Sequence, residues 1–209
     1  MTQLDREKIL EIIEKGESLE SADLTFLDLS DIDFKGISLE EATMTGTVLT
    51  RSDLSGCNLT SAFMAEIKAE ESNFKGALME EVFLQRGSIK EANFSGAMME
   101  GASIFKMEAA KADFTSAIMV DVQILDSSME GAIFRNANVS NSSFKGSNIQ
   151  GCDFTGCNLS ACDMRRVRAQ GAVFDGAKTE GVLFYGKTPW GEEADQRDWS
   201  NELIYFNDD

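Results

Sequence analysis

The stretch "RSDLSGCNLTSAFM", Arg51 to Met64, repeats one pattern every five residues. A large apolar residue stands at Leu54, Leu59 and Met64, and a small residue stands two places before each of them. A period of five fits neither the 3.6 residues per turn of an α-helix nor the two-residue alternation of a simple strand. The chain must therefore turn a corner once in every repeat.

The five-residue frame continues in both directions without a slip, from Leu24 to Phe184. Of its 33 central positions, 29 hold Leu, Phe, Met, Ile or Val, and 24 of the 33 positions two places earlier hold a small residue. We expect both sets to point inward, with the large and the small side chain together filling a narrow shaft.

The repeats "SADLT", "EANFSG" and "KADFTSA" resemble the pentapeptide repeat family, whose consensus is close to A-(D/N)-L-x-x. The resemblance covers Ala22 to Gly186 and implies an all-β solenoid, a right-handed quadrilateral β-helix in which four repeats make one square coil. Eight such coils at about 4.8 Å give a rod of about 40 Å. The sequence supports a coil of four repeats independently, because phenylalanine recurs at intervals that are multiples of four repeats. These positions are Phe34, Phe74, Phe94, Phe114, Phe134, Phe154 and Phe174.

The two ends lack the repeat and are expected to cover the core, as solenoid ends require. Residues 1–21 form an N-terminal capping helix and entry, in which Thr2 and Asp5 suggest a capping box. Residues 22–186 form the β-helix, and residues 187–209 form an aromatic C-terminal cap or a dimerisation tail. The apolar residues expected over the first coil are Leu4, Ile9, Leu10, Ile12 and Ile13. Those expected in the C-terminal lid are Trp190, Trp199, Ile204, Tyr205 and Phe206.

Four cysteines, Cys57, Cys152, Cys157 and Cys162, all fall at the small inward position. We interpret them as buried, reduced packing residues, since a free cysteine behaves as a small hydrophobe. A zinc site is the alternative, but there is no C-x-x-C pair and no histidine. No metal site and no cofactor are predicted.

Composition argues against an enzyme and against nucleic-acid binding. The chain has no histidine and a formal net charge of −17, so it lacks the usual proton-transfer side chain and repels phosphate surfaces. No apolar run reaches the length of a membrane span, and the start lacks a signal-peptide pattern, so the cytoplasm is the expected compartment. We predict a non-enzymatic protein that does not contact nucleic acid or membrane directly.

Some outward positions break the family rule that places Asp or Asn before the central residue. Leu78, Met98 and Ile118 follow one another at intervals of four repeats and predict one ladder, and Phe63 with Phe83 predicts a shorter stack. Phe105 with Leu125, one place after their central residues, predicts a second shorter stack. Acidic residues Glu80, Glu81, Glu100 and Asp121 fall on the wall of the first ladder. A contiguous apolar patch often marks an interface, and simple packing between coils is the alternative interpretation.

The first functional hypothesis is a structural or interaction module that uses this acidic, partly apolar surface to hold a protein partner or a second copy. The second comes from the resemblance: some pentapeptide repeat proteins mimic duplex DNA, bind DNA gyrase and confer quinolone resistance. From Ala22 to Glu130 there are 19 acidic and 8 basic residues, whereas Gly131 to Gly186 holds 4 and 6, including a local basic spot at Arg165, Arg166 and Arg168. These residues give the repeat region 9 net negative charges, whereas duplex DNA of the same length carries about 24. The interaction module therefore ranks first.

Overall fold

The computed structural model describes residues 4–185 and 188–191, and in it the chain winds as a right-handed quadrilateral β-helix. Each coil pairs in parallel with the next coil along the chain, from Asp23 opposite Thr43 to Asp163 opposite Leu183. The hydrogen bonding between coils begins at Leu19, whose N–H donates to the Ser38 carbonyl. The predicted fold class is confirmed.

Four short strands on one wall form the continuous part of the sheet. They are β1 (Phe63–Ala65), β2 (Phe83–Gln85), β3 (Ser103–Phe105) and β4 (Gln123–Leu125), and they pair in parallel in the order β1-β2-β3-β4. Elsewhere in the described chain the coils are joined by isolated bridges at the residue before each central position.

The core is the predicted shaft of inward side chains. Phe74, Phe94, Phe114, Phe134 and Phe154 are fully buried and stack face to face along one wall. Their ring centroids lie between 4.7 and 5.0 Å apart, which matches the spacing of adjacent strands. The predicted stack of phenylalanines is confirmed.

The small inward position also carries hydrogen bonds between coils. The Ser142 hydroxyl donates to the Met119 carbonyl of the preceding coil at 2.7 Å. Cys152 and Cys162 repeat this contact, their Sγ atoms lying 2.9 Å from the carbonyls of Met129 and Val139. A polar atom is therefore accepted in the shaft because a carbonyl of the preceding coil receives its hydrogen.

Helix α1 (Arg6–Glu14) covers the first coil. The N-cap is Asp5, whose side chain accepts from the Lys8 N–H, and Thr2 lies outside the described residues. The Arg6 guanidinium donates to the carbonyls of Asp28 and Ser30, two groups of the first coil that have no preceding coil to bond. This helix, the only one in the described ranges, is too short to cross a membrane.

The apolar face of α1 is narrower than predicted. Ile9 and Ile13 are buried, and Leu4 and Ile12 pack partly against the core. Leu10 is 39% exposed, so its assignment to the cap was wrong. The reason is helical geometry: Ile9 and Ile13 are four residues apart and share one face, while Leu10 is rotated by about 100° from Ile9.

At the other end Trp190 packs edge-on against Phe174 and Phe184, with ring centroids at 5.3 and 5.5 Å. This is the position predicted for a lid residue. Trp199, Ile204, Tyr205 and Phe206, which complete the predicted lid or dimerisation tail, lie outside the described residues. The division of the chain at residues 22–186 stays a prediction.

Candidate functional site

Two adjoining walls carry the outward apolar residues and the acidic residues singled out in the sequence. We call the acidic wall the one whose inward residues are Leu39, Leu59, Met79, Met99 and Met119. The next wall along each coil holds strands β1 to β4, and we call it the β-wall. Leu78, Met98 and Ile118 with the four acidic residues lie on the acidic wall, whereas both shorter stacks lie on the β-wall.

On the acidic wall Leu78, Met98 and Ile118 form the predicted ladder, each opposite the next in parallel register. Leu78 and Ile118 are each 37% exposed, and Met98 between them is half-buried. Two rungs of about 4.8 Å separate the first from the last, so the apolar strip is about 10 Å long. It runs parallel to the axis of the solenoid.

This ladder interrupts a column of amides that hold the backbone. Asn58, Asn138 and Asn158 occupy the same column, and the Oδ1 atom of each accepts the backbone N–H two residues further on. Leu78, Met98 and Ile118 have no side-chain acceptor, so three consecutive coils lack this local hydrogen bond. Apolar side chains are thus displayed where the fold favours a polar one.

The acidic wall also carries charge of a single sign. From residue 18 to residue 141 its outward positions hold no Lys or Arg, and seven carboxylates. These are Glu20, Glu40, Glu41, Glu80, Glu81, Glu100 and Asp121. Neutral groups orient three of them: the Asn58 amide donates to Glu40 at 2.8 Å, the Thr60 hydroxyl to Glu80 at 3.1 Å and the Ser21 hydroxyl to Glu41 at 3.2 Å. Such donors fix the carboxylates without cancelling their charge.

Elsewhere in the described chain, carboxylates are commonly neutralised by a base in the adjacent coil. Arg51 pairs with Asp31 at 2.8 Å, Lys111 with Glu91 at 2.9 Å, and Arg86 with Glu66 at 3.5 Å. All of these pairs stand on other walls, where unlike charges face each other across adjacent coils. The acidic wall, in contrast, places Glu80 and Glu100 in adjacent coils with no base beside them.

On the β-wall the outward apolar residues pack against one another or against a neighbouring base. The rings of Phe63 and Phe83 stack in parallel with centroids 4.9 Å apart, and Phe105 lies opposite Leu125 in register. The Lys106 ammonium sits 4.9 Å above the Phe105 ring, a cation–π contact that covers it. The third residue of each strand pairs with its counterpart in the adjacent parallel strand. Strand pairing therefore replaces the local hydrogen bond to a side chain.

Sequence reasoning missed further apolar residues at outward positions: Val173 and Leu183 are 41% and 38% exposed, and Val120 and Phe26 stand on the two walls described here. Val120 follows Met119 on the acidic wall and stands in the column of Glu80 and Glu100, half-buried beside the apolar ladder. Phe26 is 74% exposed at a corner of the β-wall, where it has φ +58° and lies against Gly46. The signal for Phe26 was available, because a glycine at the same corner of the next coil leaves room for a ring.

The cysteines are buried as predicted, and all four are free. Desolvation by burial raises the pKa of Cys57, Cys152 and Cys162 to about 12, and raises that of Cys157 as well. A thiol of this kind stays protonated and unreactive near neutral pH. No arrangement of three or more potential metal ligands occurs among the described residues. In the basic spot, Arg165 is paired with Asp163 at 2.7 Å.

Comparison with known proteins identifies the repeat. The family model for pentapeptide repeats matches residues 28–64, 126–160 and 142–178, with eight copies. No curated protein sequence matches the chain.

Several solved structures are similar. A trypsin-treated variant of QnrB1, a plasmid-mediated fluoroquinolone resistance protein, superposes with a TM-score of 0.63 at 16% identity over 89% of each chain. HetL, a pentapeptide repeat protein involved in heterocyst differentiation regulation from the cyanobacterium Nostoc sp. strain PCC 7120, matches at 18% identity, covering 87% of this chain and 97% of its own, with a TM-score of 0.34. A pentapeptide repeat protein from the thylakoid lumen of Arabidopsis thaliana matches at 28% identity over 62% and 66% of the two chains, with a TM-score of 0.19.

Proposed function

Because this chain is a pentapeptide repeat protein, we propose that it is a non-enzymatic interaction module that holds a protein partner on its acidic wall. The observation that carries the proposal is the break at Leu78, Met98 and Ile118. Three consecutive coils give up the local hydrogen bond that Asn58 and Asn138 make, and they expose apolar side chains instead. Departures from a local rule that lack a structural gain concentrate at functional sites.

Charge supports the same surface. Seven carboxylates without a base on one wall cost stability through repulsion between adjacent coils. A partner with Lys or Arg residues relieves this repulsion on binding, and the apolar strip supplies contact area at the centre. The candidate residues of the docking surface are therefore Leu78, Met98, Ile118 and the neighbouring Glu80, Glu81, Glu100 and Asp121.

The remaining sequence candidates, Phe63, Phe83, Phe105 and Leu125, are assigned to packing between coils. Each stacks on its neighbour in the β-wall, and strand pairing accounts for the loss of Asp or Asn at Phe63 and Phe83. This divides the two interpretations of the apolar outward residues by wall. The acidic wall is the docking surface, and the β-wall is structural.

The test is retention of proteins from a lysate by the immobilised chain, quantified by mass spectrometry. The wild type is compared with Leu78→Ser/Met98→Ser/Ile118→Ser and with Phe63→Ser/Phe83→Ser as the matched control. We expect at least one protein to be lost with the first variant and kept with the second. Equal retention by all three forms contradicts the proposal. Sedimentation of the same forms separates a second copy of the chain from a different partner.

A DNA-mimicking inhibitor of gyrase is the second candidate. It is supported by the single sign of charge on the acidic wall and by the fold shared with a fluoroquinolone resistance protein. The test is inhibition of gyrase supercoiling, weakened by salt and abolished by Glu80→Lys/Glu81→Lys/Glu100→Lys. Potent inhibition with this dependence, unchanged in Met98→Lys, places the second candidate first. Absence of inhibition eliminates it and leaves the docking proposal standing.

A further inference from the structure

Resting on the docking surface proposed above, we infer that its partner is a basic amphipathic α-helix. This helix lies along the solenoid axis with its apolar face on Leu78, Met98 and Ile118. Lys or Arg residues on one flank face Glu80 and Glu100. The inference rests on the spacing of the ladder, on the asymmetry of its two borders and on the charge of the wall.

The spacing of the ladder matches a helix better than a strand. Its three rungs are separated by about 4.8 Å each, and the span from first to last is about 10 Å. A helix has a pitch of 5.4 Å, so residues i, i+4 and i+7 on one face span about 10.5 Å. In a strand, residues on one face are about 6.8 Å apart and fall out of register by about 2 Å at every rung. Only the helix keeps three successive contacts.

The two borders of the ladder differ in a way that orients the helix. On one side, Glu80, Glu100 and Val120 follow the inward residues, with Glu81 and Asp121 at the corner beyond them. On the other side, the corner before the ladder holds only Gly76, Gly96 and Ser116, all exposed. Small residues let a helix backbone approach closely, and carboxylates attract bases. The fitting helix is therefore basic on one flank and uncharged on the other.

A second copy of this chain does not fit the same surface. Contact between two acidic walls places Glu80 and Glu100 against the carboxylates of the other copy, and like charges brought together oppose binding. The sequence of α1, "REKILEIIE", contains three glutamates and two bases, so this helix is not basic either. Because α1 is the only helix among residues 4–185 and 188–191, we assign the matching helix to a different protein.

The probes are three synthetic peptides of equal length, about five helical turns each, labelled for fluorescence anisotropy and measured in about 0.1 M salt, where charge is screened beyond about 10 Å. The first has leucines at helical spacing and lysines on one flank. The second has the same composition in strict alternation, and the third has glutamate in place of lysine. We expect the first peptide to bind at least tenfold more tightly than the other two.

Variants locate the binding and separate it from attraction to an acidic protein in general. Leu78→Asn/Met98→Asn/Ile118→Asn and, separately, Glu80→Gln/Glu100→Gln are expected to raise the dissociation constant of the first peptide at least tenfold. The controls on another wall are Ile133→Asn, which removes an outward apolar side chain, and Asp33→Asn/Asp113→Asn, which neutralises two carboxylates; both are expected to shift it less than twofold. Unfolding curves of all four variants verify that the solenoid is retained.

The outcomes distinguish this inference from the proposed function. If the alternating peptide binds as tightly as the helical one and depends on the same residues, the docking surface stands and the helical partner is wrong. If a retained lysate protein needs Leu78, Met98 and Ile118 while the helical basic peptide does not bind, the docking surface again stands and the helical partner is wrong. If the control variants weaken the peptide as much as the wall variants do, its binding is general electrostatic attraction and the inference is overturned.

Discussion

The acidic wall and the β-wall lose the same consensus residue and respond in opposite ways. On the β-wall, where Phe63 and Phe83 replace Asp or Asn, the backbone straightens into strands and the rings stack at 4.9 Å. On the acidic wall, where Leu78, Met98 and Ile118 replace it, the chain keeps isolated bridges. A departure from the repeat with a structural compensation indicates packing, and one without it indicates function.

The largest expected loss of stability tests which side chains point inward and which point outward, an assignment on which both walls depend. Phe114→Asp places a charge between Phe94 and Phe134, whose rings lie 5.0 and 4.9 Å from that of Phe114, in a fully buried site. We expect a loss of more than about 3 kcal/mol in the free energy of unfolding, measured in urea. The outward neighbour is the control: Asp113→Ser is expected to cost less than about 1 kcal/mol. Similar losses for the two variants mean that the inward and outward assignments are wrong.

A smaller loss is expected when the β-wall stack is removed. Phe63→Ala/Phe83→Ala deletes a parallel ring pair, in which Phe63 is 42% exposed and Phe83 is half-buried, and it offers no side-chain acceptor in return. The free energy of unfolding should fall by about 1–2 kcal/mol, with partner retention unchanged. A variant of full stability that has lost its partner transfers the docking role from the acidic wall to the β-wall.

On the acidic wall, replacing the apolar residues should raise the free energy of unfolding instead of lowering it. Leu78→Asn/Met98→Asn/Ile118→Asn continues the amide column of Asn58 and Asn138, so each new side chain can accept a backbone N–H. Each such hydrogen bond contributes about 0.5–1.5 kcal/mol, and part of this gain is offset by the lost apolar contacts. We expect the unfolding free energy to rise by about 1 kcal/mol while docking is lost.

Alanine at the same three positions separates the two contributions in that experiment. It removes the apolar ladder but supplies no acceptor, so the free energy of unfolding should fall slightly. If the asparagine variant is less stable than the alanine variant, the missing hydrogen bonds are not a cost of the wild-type sequence. In that case Leu78, Met98 and Ile118 impose no local cost on the fold, and the ladder is ordinary packing.

The smallest effect concerns the core beneath both walls. Cys152→Ser/Cys162→Ser replaces each thiol by the hydroxyl that Ser142 already uses toward a carbonyl, and we expect a change within about 1 kcal/mol. The pH dependence of the unfolding free energy should distinguish the wild type from this variant more clearly. Burial raises the pKa of both thiols from 9.0 to about 12 in the folded chain.

Thiols of the unfolded chain ionise near the ordinary value, which favours unfolding as the pH rises. The wild type should therefore lose stability between about pH 9 and pH 12 relative to the serine variant, and the two should run parallel below about pH 8. Urea unfolding at pH 8 and pH 10 measures this difference. Rapid labelling of the native thiols at pH 8 argues against their burial.

Most residues of the candidate site could be predicted from the sequence, but whether each one serves docking or packing could not. The ladder of Leu78, Met98 and Ile118 and the stacks of Phe63 with Phe83 and Phe105 with Leu125 follow from residue numbers, because residues separated by four repeats must lie one above the other in a square coil. Phe26 and Val120 were missed because they stand at positions where the repeat tolerates many residues. The face of α1 was overestimated at Leu10 because the apolar run continues past the buried stripe.

The sequence by itself determined the coil, its inward side chains and the placement of the cysteines. The inward side chains and the cysteines follow from the period of five, and the coil of four repeats follows from the resemblance to the pentapeptide repeat family together with the recurrence of phenylalanine. The tertiary structure decided which wall straightens into strands, which carboxylates meet a base in the next coil, and which apolar residues stay exposed. These properties depend on contacts between coils and on local backbone geometry, and a repeat pattern written along one chain does not specify whether an outward side chain is covered by its neighbour.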